Sequence, residues 1–290
     1  MTPSNLPADP IPATKSPLAT PHPKDASPSM TGALPALRKV PEITVFFWIL
    51  KLLTTAMGEV TSDFLVHQFN PYFAVALGTS VFVIALVLQF LVHRYIAWVY
   101  WFAVVMVAVF GTMAADVLHV EFGIPYLVTT VSFAAALVMI FVAWYATEKT
   151  LSIHSINTHR RELFYWATVM ATFALGTATG DMTSITLHLG YLASGVMFAI
   201  LICLPALAYW LFHLNEIVAF WIAYILTRPL GATFADWVGK PKSVSGLGLG
   251  TGWVSLTLTT LIVLLVIYLT ITRRDVKDEH TGPSAPHPQG

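Results

Sequence analysis

After Pro41 the chain alternates between long apolar runs and short polar breaks. The runs lie at about 43–64, 72–92, 97–117, 125–147, 163–183, 190–212, 216–237 and 252–271. Each holds about 20 residues, and about 20 residues rising ~1.5 Å apiece as a helix cross a hydrocarbon core of ~30 Å. The runs lack the alternation of barrel strands, and an open sheet edge is not satisfied in lipid. The pattern therefore predicts an all-α integral membrane fold with eight transmembrane helices. Asn70-Pro71, Gly123-Ile124-Pro125 and Gly190 punctuate the turns. Outside the runs, residues 1–41 hold ten of the 18 prolines and no hydrophobic periodicity. They predict a disordered tail, as do the polar residues 273–290. No apolar core follows a basic start, so the first residues do not read as a signal peptide.

A second pattern lies inside the odd-numbered runs. An aromatic residue, Trp, nine residues, Gly, four residues and Asp recur at unchanged spacing. The copies are Phe47/Trp48/Gly58/Asp63, Tyr100/Trp101/Gly111/Asp116, Tyr165/Trp166/Gly176/Asp181 and Phe220/Trp221/Gly231/Asp236. Fixed spacing marks internal repeats, each a two-helix unit. They fall at about 42–94, 95–149, 160–213 and 214–272, within a transmembrane domain of 42–272. Two crossings return the chain to the side it left. The fold thus reads as four tandem parallel two-helix repeats, with every Trp-to-Asp helix running the same way. If Trp48, Trp101, Trp166 and Trp221 are interface anchors, each Gly lies about 15 Å deep and each Asp about 22 Å deep. Gly58, Gly111, Gly176 and Gly231 are then expected at the tightest crossings of four central helices.

Composition agrees with this class. The chain is 56% hydrophobic and 10% charged, against roughly 25% charged in a soluble domain. Its zero formal net charge argues against a nucleic-acid partner, and the lipid bilayer is the partner expected; oligomeric state stays open. The single cysteine, Cys203, excludes an intrachain disulfide and a Cys-based metal cluster, and reads as a small buried apolar residue. Lys15, Lys24, Arg38, Lys39, Arg94, Lys149, Arg160, Arg161, Arg273, Arg274 and Lys277 fall on one side of the bilayer, and only Lys240 and Lys242 on the other. The positive-inside rule then places both termini in the cytoplasm.

The chemistry lies in the charges within the runs. An Asp facing lipid costs roughly 2.5–3.5 kcal/mol at a helix centre. Asp63, Asp116, Asp181 and Asp236 are therefore expected to face the bundle interior; the plain alternative is that each ends its helix near the outer surface. Lys51, Thr55, Glu59 and Asp63 follow at four-residue steps on one face, which makes Glu59 a deeper ligand or proton carrier and predicts that Lys51 neutralises Glu59 or Asp63. Arg228, beside the helix breaker Pro229, is expected to pair with an acid of another repeat. Thr168, Thr172, Thr179 and Thr183 read mainly as hydroxyls bonded back to their own helix. His67, His119 and His188 follow three of the Asp residues at varying offsets, a weak metal-ligand pattern with ordinary loop histidines as the alternative. The Gly-rich stretch 239–252 has no dinucleotide or Walker pattern and reads as a flexible outer loop. No GxSxG, HExxH or CxxC occurs, so nothing supports an enzyme, and a metal cation enters only as a substrate rather than as a cofactor.

The four aromatic-Trp…Gly…Asp copies, with the run from Lys51 to Asp63 in the first, resemble uncharacterised "membrane-anchored" bacterial proteins built from four copies of a short repeat of unknown function. The resemblance covers about residues 40–272. It implies an integral bacterial inner-membrane protein and carries no substrate. From the residues, the leading expectation is a small-solute or cation transporter or channel, with a divalent metal among the candidates, because acidic rings suit cations. The competing expectation is a non-transporting scaffold or sensor whose Asp residues lock helix ends. Convergence of the four Asp side chains separates the two.

Overall fold

A computed structural model describes residues 38–276, and all regular elements among them are helical. Eight long helices follow one another: α1 Val45–Gln68, α2 Pro71–Leu91, α3 Ala97–Val120, α4 Tyr126–Glu148, α5 His159–Asp181, α6 Gly190–Phe212, α7 Glu216–Gly239 and α8 Thr251–Thr272. Their ends follow local chemistry. Thr44 and Thr158 accept from the N–H groups of Phe47 and Arg161, and Asn70 and Asn215 cap α2 and α7 in the same way. Pro71 opens α2 with its φ already helical. Within α6 the helix loosens at Ile202, where Pro205 offers no N–H to the Leu201 carbonyl.

Seven of the helices are long and apolar enough to span a bilayer. The exception, α5, is diluted by Thr168, Thr172, Thr177, Thr179, Gly176 and Gly180. It packs against α3, α4 and α7, so it meets little lipid and needs no apolar coat. The chain is a multi-pass membrane protein of four two-helix repeats. The inner ring is α1, α3, α5 and α7. Within their apolar windows, α1, α3 and α7 are 56–61% buried, against 17–28% for α2, α4, α6 and α8, which form the outer ring. Each outer helix leans on the first helix of the following repeat: α2 on α3, α4 on α5, α6 on α7, and α8 back on α1. The four repeats therefore close a ring.

The closure has a fixed register. The motif glycine of each repeat faces the residue three before the motif glycine of the next: Gly58 meets Ala108, Gly111 meets Phe173, Gly176 meets Arg228 and Gly231 meets Thr55. A Cβ on Gly111 would stand 2.8 Å from Phe173 Cβ and one on Gly231 2.7 Å from Thr55 Cγ2; Gly58 and Gly176 have less room still. Small residues let backbones approach where lipid offers no hydrophobic drive for association.

The repeated tryptophans correct the expectation of interface anchors. Trp101, Trp166 and Trp221 are buried and Trp48 half-buried. Each packs on the aromatic residue of the preceding repeat: Phe47 on Trp101 at 5.9 Å between ring centres, Tyr100 on Trp166 at 5.7 Å, Tyr165 on Trp221 at 6.4 Å and Phe220 on Trp48 at 5.7 Å. The motif indoles lie on the faces that the inner helices turn to one another, so they close the bundle instead. Exposed indoles belong to Trp98, Trp210 and Trp253.

Three further expectations change. In residues 38–41 and 273–276, assigned to the tails by composition, Lys39, Val40, Pro41 and Asp275 are buried and the backbone is tied to the bundle. Lys39 N donates to Ile156 O at 3.2 Å, Glu42 N to Asp275 O at 3.0 Å, and Tyr95 N to Arg38 O at 2.9 Å. Lys39 Nζ is buried on Glu162 at 2.6 Å, and Gln89 holds the other oxygen of that carboxylate. The remaining tail residues, 1–37 and 277–290, lie outside the described residues. Cys203 is exposed on the outer ring, because α6 turns that side to the bilayer. The stretch after α7 is an ordered strap: Leu247, Gly248, Leu249 and Gly250 donate backbone hydrogen bonds to the carbonyls of Trp237, Lys240, Val238 and Gly239. Gly246 lies against the Lys240 carbonyl with no space for a side chain.

Candidate functional site

Counted from each motif glycine, the residues eleven, seven and three before it, and one and five after it, share one helical face at four-residue steps. All four inner helices turn that face to a common axis, which gives five layers. From the basic end they are Phe47/Tyr100/Tyr165/Phe220, Lys51/Val104/Val169/Tyr224, Thr55/Ala108/Phe173/Arg228, Glu59/Thr112/Thr177/Ala232 and the four Asp residues. The members of the three middle layers are buried.

In the middle layers a single guanidinium ties the ring together. Arg228 Nη2 lies 2.9 Å from Glu59 Oε2 and 2.8 Å from Thr177 Oγ1, and also donates to Thr112 Oγ1. Nη1 donates to Thr55 O at 2.8 Å and Nε to Phe173 O at 3.3 Å. Thr112 Oγ1 and Thr177 Oγ1 lie 3.2 and 3.4 Å from the same Glu59 oxygen. One Arg from α7 thus contacts α1, α3 and α5. Arg228 is fully buried and Glu59 is 2% exposed. Removing one partner of such a pair costs about 3–5 kcal/mol, yet replacing both with apolar side chains is often neutral or stabilising. The pair therefore links the helices without giving them net stability that apolar side chains at the same registers would lack.

The Asp layer lies one turn beyond. Asp116 and Asp181 hold this register on α3 and α5, and Asp63 and Asp236 hold it on α1 and α7, where both meet Lys240. Helices α1, α3 and α7 run on past their Asp residues, and α5 continues as a wider turn over Met182–Thr186; none of the four caps a helix. Lys240, at the end of α7, bridges two of them: its Nζ is 3.0 Å from Asp236 Oδ2 and 3.4 Å from Asp63 Oδ2. Backbone bonds of the strap hold Lys240 there, and its Nζ stands 5.0 Å above the Tyr191 ring. Asp236 Oδ1 and Asp63 Oδ2 are buried without a hydrogen-bond partner among the described residues.

Lys51 departs from its expected role. The residue is 1% exposed, and its Nζ is buried with no hydrogen-bond acceptor among the described residues. It sits 3.9 Å from the centre of the Phe173 ring and 4.0 Å from that of Tyr224. Glu59 and Asp63 share its helix face, but the carboxylate of Glu59 is turned to Arg228. A desolvated cation over an aromatic face gains about 2 kcal/mol, while burying an ammonium costs several. This amine is the least compensated polar group on the axis.

A family model matches the chain in four tandem copies, at residues 46–95, 99–150, 164–214 and 219–275, and is described as a Repeat of Unknown Function, DUF347. The chain belongs to the DUF347 family. No curated protein and no solved structure matches it. The DUF347 copies begin and end within a few residues of the repeats defined by the Trp, Gly and Asp spacing.

Of the residues singled out by sequence in this DUF347 chain, the structure brings Glu59, Asp63, Asp116, Asp181, Asp236 and Arg228 to one axis. The histidines stay apart. His67 Nδ1 is bonded to Asp63 O and His119 Nδ1 to Ile124 O, at 2.6 and 2.9 Å, and His188 lies in the turn after α5. Among the described residues no group of three or more His, Cys, Asp or Glu is arranged to hold a metal. Thr172, Thr179 and Thr183 bond back to their own helix, whereas Thr168 Oγ1 has no partner. Lys240, Thr112, Thr177, Tyr224 and Phe173 were missed. Aligning the DUF347 copies on their glycines and reading across each register finds all but Lys240. An apolar cleft of about 580 Å³ between α1, α2, α3 and α8 is separate from the axis and contains none of the motif acids.

Proposed function

We propose that this DUF347 protein moves a small cation across the membrane along the axis of its inner ring. One observation carries the reading. At the registers where the sister repeats place Val104, Val169, Ala108 and Phe173, the chain buries Lys51 and Arg228, and it buries Glu59 where a neighbour has Ala232. The ring closes with apolar residues at these positions, so the charges serve something other than packing. Buried charges within a membrane mark ion pathways. The Asp layer attracts the cation, with Lys240 as a resident positive charge that an incoming ion displaces. Glu59 is the deeper ligand, and Arg228 holds it until a cation or proton replaces the guanidinium. The aromatic layer closes the basic end in this conformation. No resident cofactor and no enzymatic step is part of this reading. Membership of a bacterial inner membrane, with the basic end and both termini in the cytoplasm, fits the distribution of Lys and Arg.

The test is flux into liposomes holding the purified full chain, scanned over Na⁺, K⁺, Mg²⁺, Mn²⁺ and Zn²⁺. At least one cation is expected to move faster than in protein-free vesicles and to stop moving with Glu59→Gln or Asp63→Asn. Equal flux with and without protein for every ion overturns the reading. A non-transporting sensor is the second reading, favoured by the lock that Lys240 places on Asp63 and Asp236; a cation that binds without crossing would select it. Orientation is tested separately: a C-terminal alkaline phosphatase fusion is expected inactive and a fluorescent fusion bright.

A further inference from the structure

Between the Glu59–Arg228 pair and the basic end, the axis holds a second set of proton-exchanging side chains that the cation reading does not use. They are Lys51, Tyr224, Tyr165 and Tyr100, followed by Tyr95 and Asp275. The Tyr100 and Tyr165 hydroxyls share a hydrogen bond. Tyr224 OH and Lys51 Nζ, both buried, have no partner among the described residues. The Tyr95 ring meets Tyr100 edge-on at 5.7 Å, and its hydroxyl donates to Asp275. The fold does not call for these hydroxyls or this amine: the same registers hold Phe47 and Phe220 in one layer, and Val104 and Val169 in the next. Buried proton-bearing groups on adjoining layers, at registers that are apolar in the sister repeats, give a proton a series of side chains to step along, with the Tyr165 hydroxyl set between those of Tyr100 and Tyr224. The groups facing Lys51 are Tyr224 and Arg228 from α7 and Phe173 from α5, with Val104 of α3 in the same layer, and Arg228 is the charge that acts on it. The Phe173 ring touches both nitrogen-bearing heads, 3.9 Å from Lys51 Nζ and 5.0 Å from Arg228 Cζ. It therefore lines the gap between the amine and the buried ion pair.

We propose that these side chains form a proton path from the basic end to Glu59, with Lys51 as the carrier and the Phe173 ring as the barrier it passes. The proposal rests on the axial cation reading, in which a proton travelling one way offsets a cation travelling the other. The transfers balance. The Lys51 amine takes the Tyr224 phenolic proton as Tyr224 takes one from Tyr165, Tyr165 takes one from Tyr100, and Tyr100 takes one from Tyr95, which is restored by the Asp275 carboxyl and, behind it, water at the basic end. The Lys51 ammonium then gives its proton to the Glu59 carboxylate and is an amine again. Glu59, now an uncharged acid, releases Arg228, and this links proton arrival to rearrangement of the layer next to the Asp residues.

The experiment is proton entry into liposomes carrying the full chain and a trapped pH dye, driven by a potassium diffusion potential with valinomycin. Wild type is expected to pass protons slowly, since Phe173 blocks the gap. Phe173→Ala is expected to raise the rate about tenfold, a barrier change of ~1.4 kcal/mol. Adding Lys51→Met to that variant should return the rate to wild type, and adding Tyr224→Phe should lower it severalfold. Phe173→Leu replaces Phe173→Ala if the latter is not monodisperse in detergent. A wild-type rate already as high as that of Phe173→Ala overturns the barrier assigned to Phe173. No rise with either Phe173 variant, or a raised rate that survives Lys51→Met, overturns the proposal. The assay contains no candidate substrate beyond the potassium that sets the potential. Cation flux without this proton behaviour therefore removes the proton path alone, and the proton behaviour without cation flux removes the cation reading alone.

Discussion

The inner ring has two unlike halves. Helices α3 and α5 present Val104 and Val169, Ala108 and Phe173, Thr112 and Thr177, then Asp116 and Asp181. Helices α1 and α7 present, at the same registers, Lys51 and Tyr224, Thr55 and Arg228, Glu59 and Ala232, then Asp63 and Asp236, with Lys240 just beyond. Backbone geometry, glycine contacts and the aromatic layer are shared by both. Every axial charge other than the common Asp lies on two adjacent helices, the first and the last of the ring. The plain half shows what the fold needs. The charged half shows what has been added to it, at a desolvation cost.

The largest test of that contrast is Arg228→Met. It leaves Glu59 as a buried carboxylate without its cation and should destabilise the protein by about 3–5 kcal/mol, read as a lower midpoint of unfolding in detergent. The double variant with Glu59→Gln should recover most of the loss. Thr112→Val, which removes hydrogen bonds to both charges but leaves the pair intact, should cost less, about 1.5–3 kcal/mol. If Arg228→Met unfolds like wild type, the two halves do not differ energetically.

Glycine substitutions come next and address what the halves share. Gly58→Ala and Gly176→Ala force a methyl into Ala108 and into Arg228 and Pro229, and overpacking costs about 1–3 kcal/mol. Gly180→Ala places its methyl 3.4 Å from Thr233 Cγ2, ordinary contact, and should be neutral or slightly stabilising. Equal losses at all three glycines would show that the crossings are not set by the motif glycines.

A smaller effect separates the acids. Asp63→Asn, beside Lys240 and one turn from Glu59, should reduce cation flux by about tenfold, and Asp116→Asn, in the plain half, by about threefold, both at matched membrane abundance. Equal reductions would mean that the Asp layer acts as a symmetric ring.

The spans, the repeats and the inner position of the odd helices were legible because each rests on a strong periodic signal. So was the turning of the Asp register away from lipid, where Asp181 and Asp236 are buried and Asp63 and Asp116 half-buried. Three things were not legible, for identifiable reasons. The tryptophans looked like interface anchors because that preference describes indoles in contact with lipid, and nothing local reveals that a ring of helices will shield them. Lys51 looked like the partner of Glu59 because both lie on one helix face, yet the carboxylate is met by an Arg 169 residues further on. Lys240 looked like a loop cation because it follows the last apolar turn, whereas the strap folds back and fixes it among the acids. The missing information in each case is contact between distant repeats.

The smallest expected effect lies outside the spans. Burial raises the Asp275 carboxyl above its usual range, against hydrogen bonds from Tyr95 and from its own backbone that lower it. A carboxyl raised in the folded state favours folding when protonated, so its contribution is present at low pH and is lost as pH rises through the folded value. Asp275→Asn keeps an acceptor for Tyr95 and should raise the unfolding midpoint slightly at neutral pH, with the gain fading in acid. A gain that grows in acid would reverse the sign.

Closure of the ring also sets an order of events in biogenesis. The contacts that finish the site, Gly231 on Thr55, Arg228 on Glu59, Phe220 on Trp48, α8 on α1 and Asp275 O on Glu42 N, all join the first repeat synthesised to the last. During translation α1 enters the bilayer with Lys51, Glu59 and Asp63 facing no finished neighbour, and it waits through three more repeats for its partners. The axis comes into being only when the ribosome has delivered the whole chain. Any nascent chain short of α7 is a membrane protein without a site, and its exposed acids give quality-control proteases a reason to remove it.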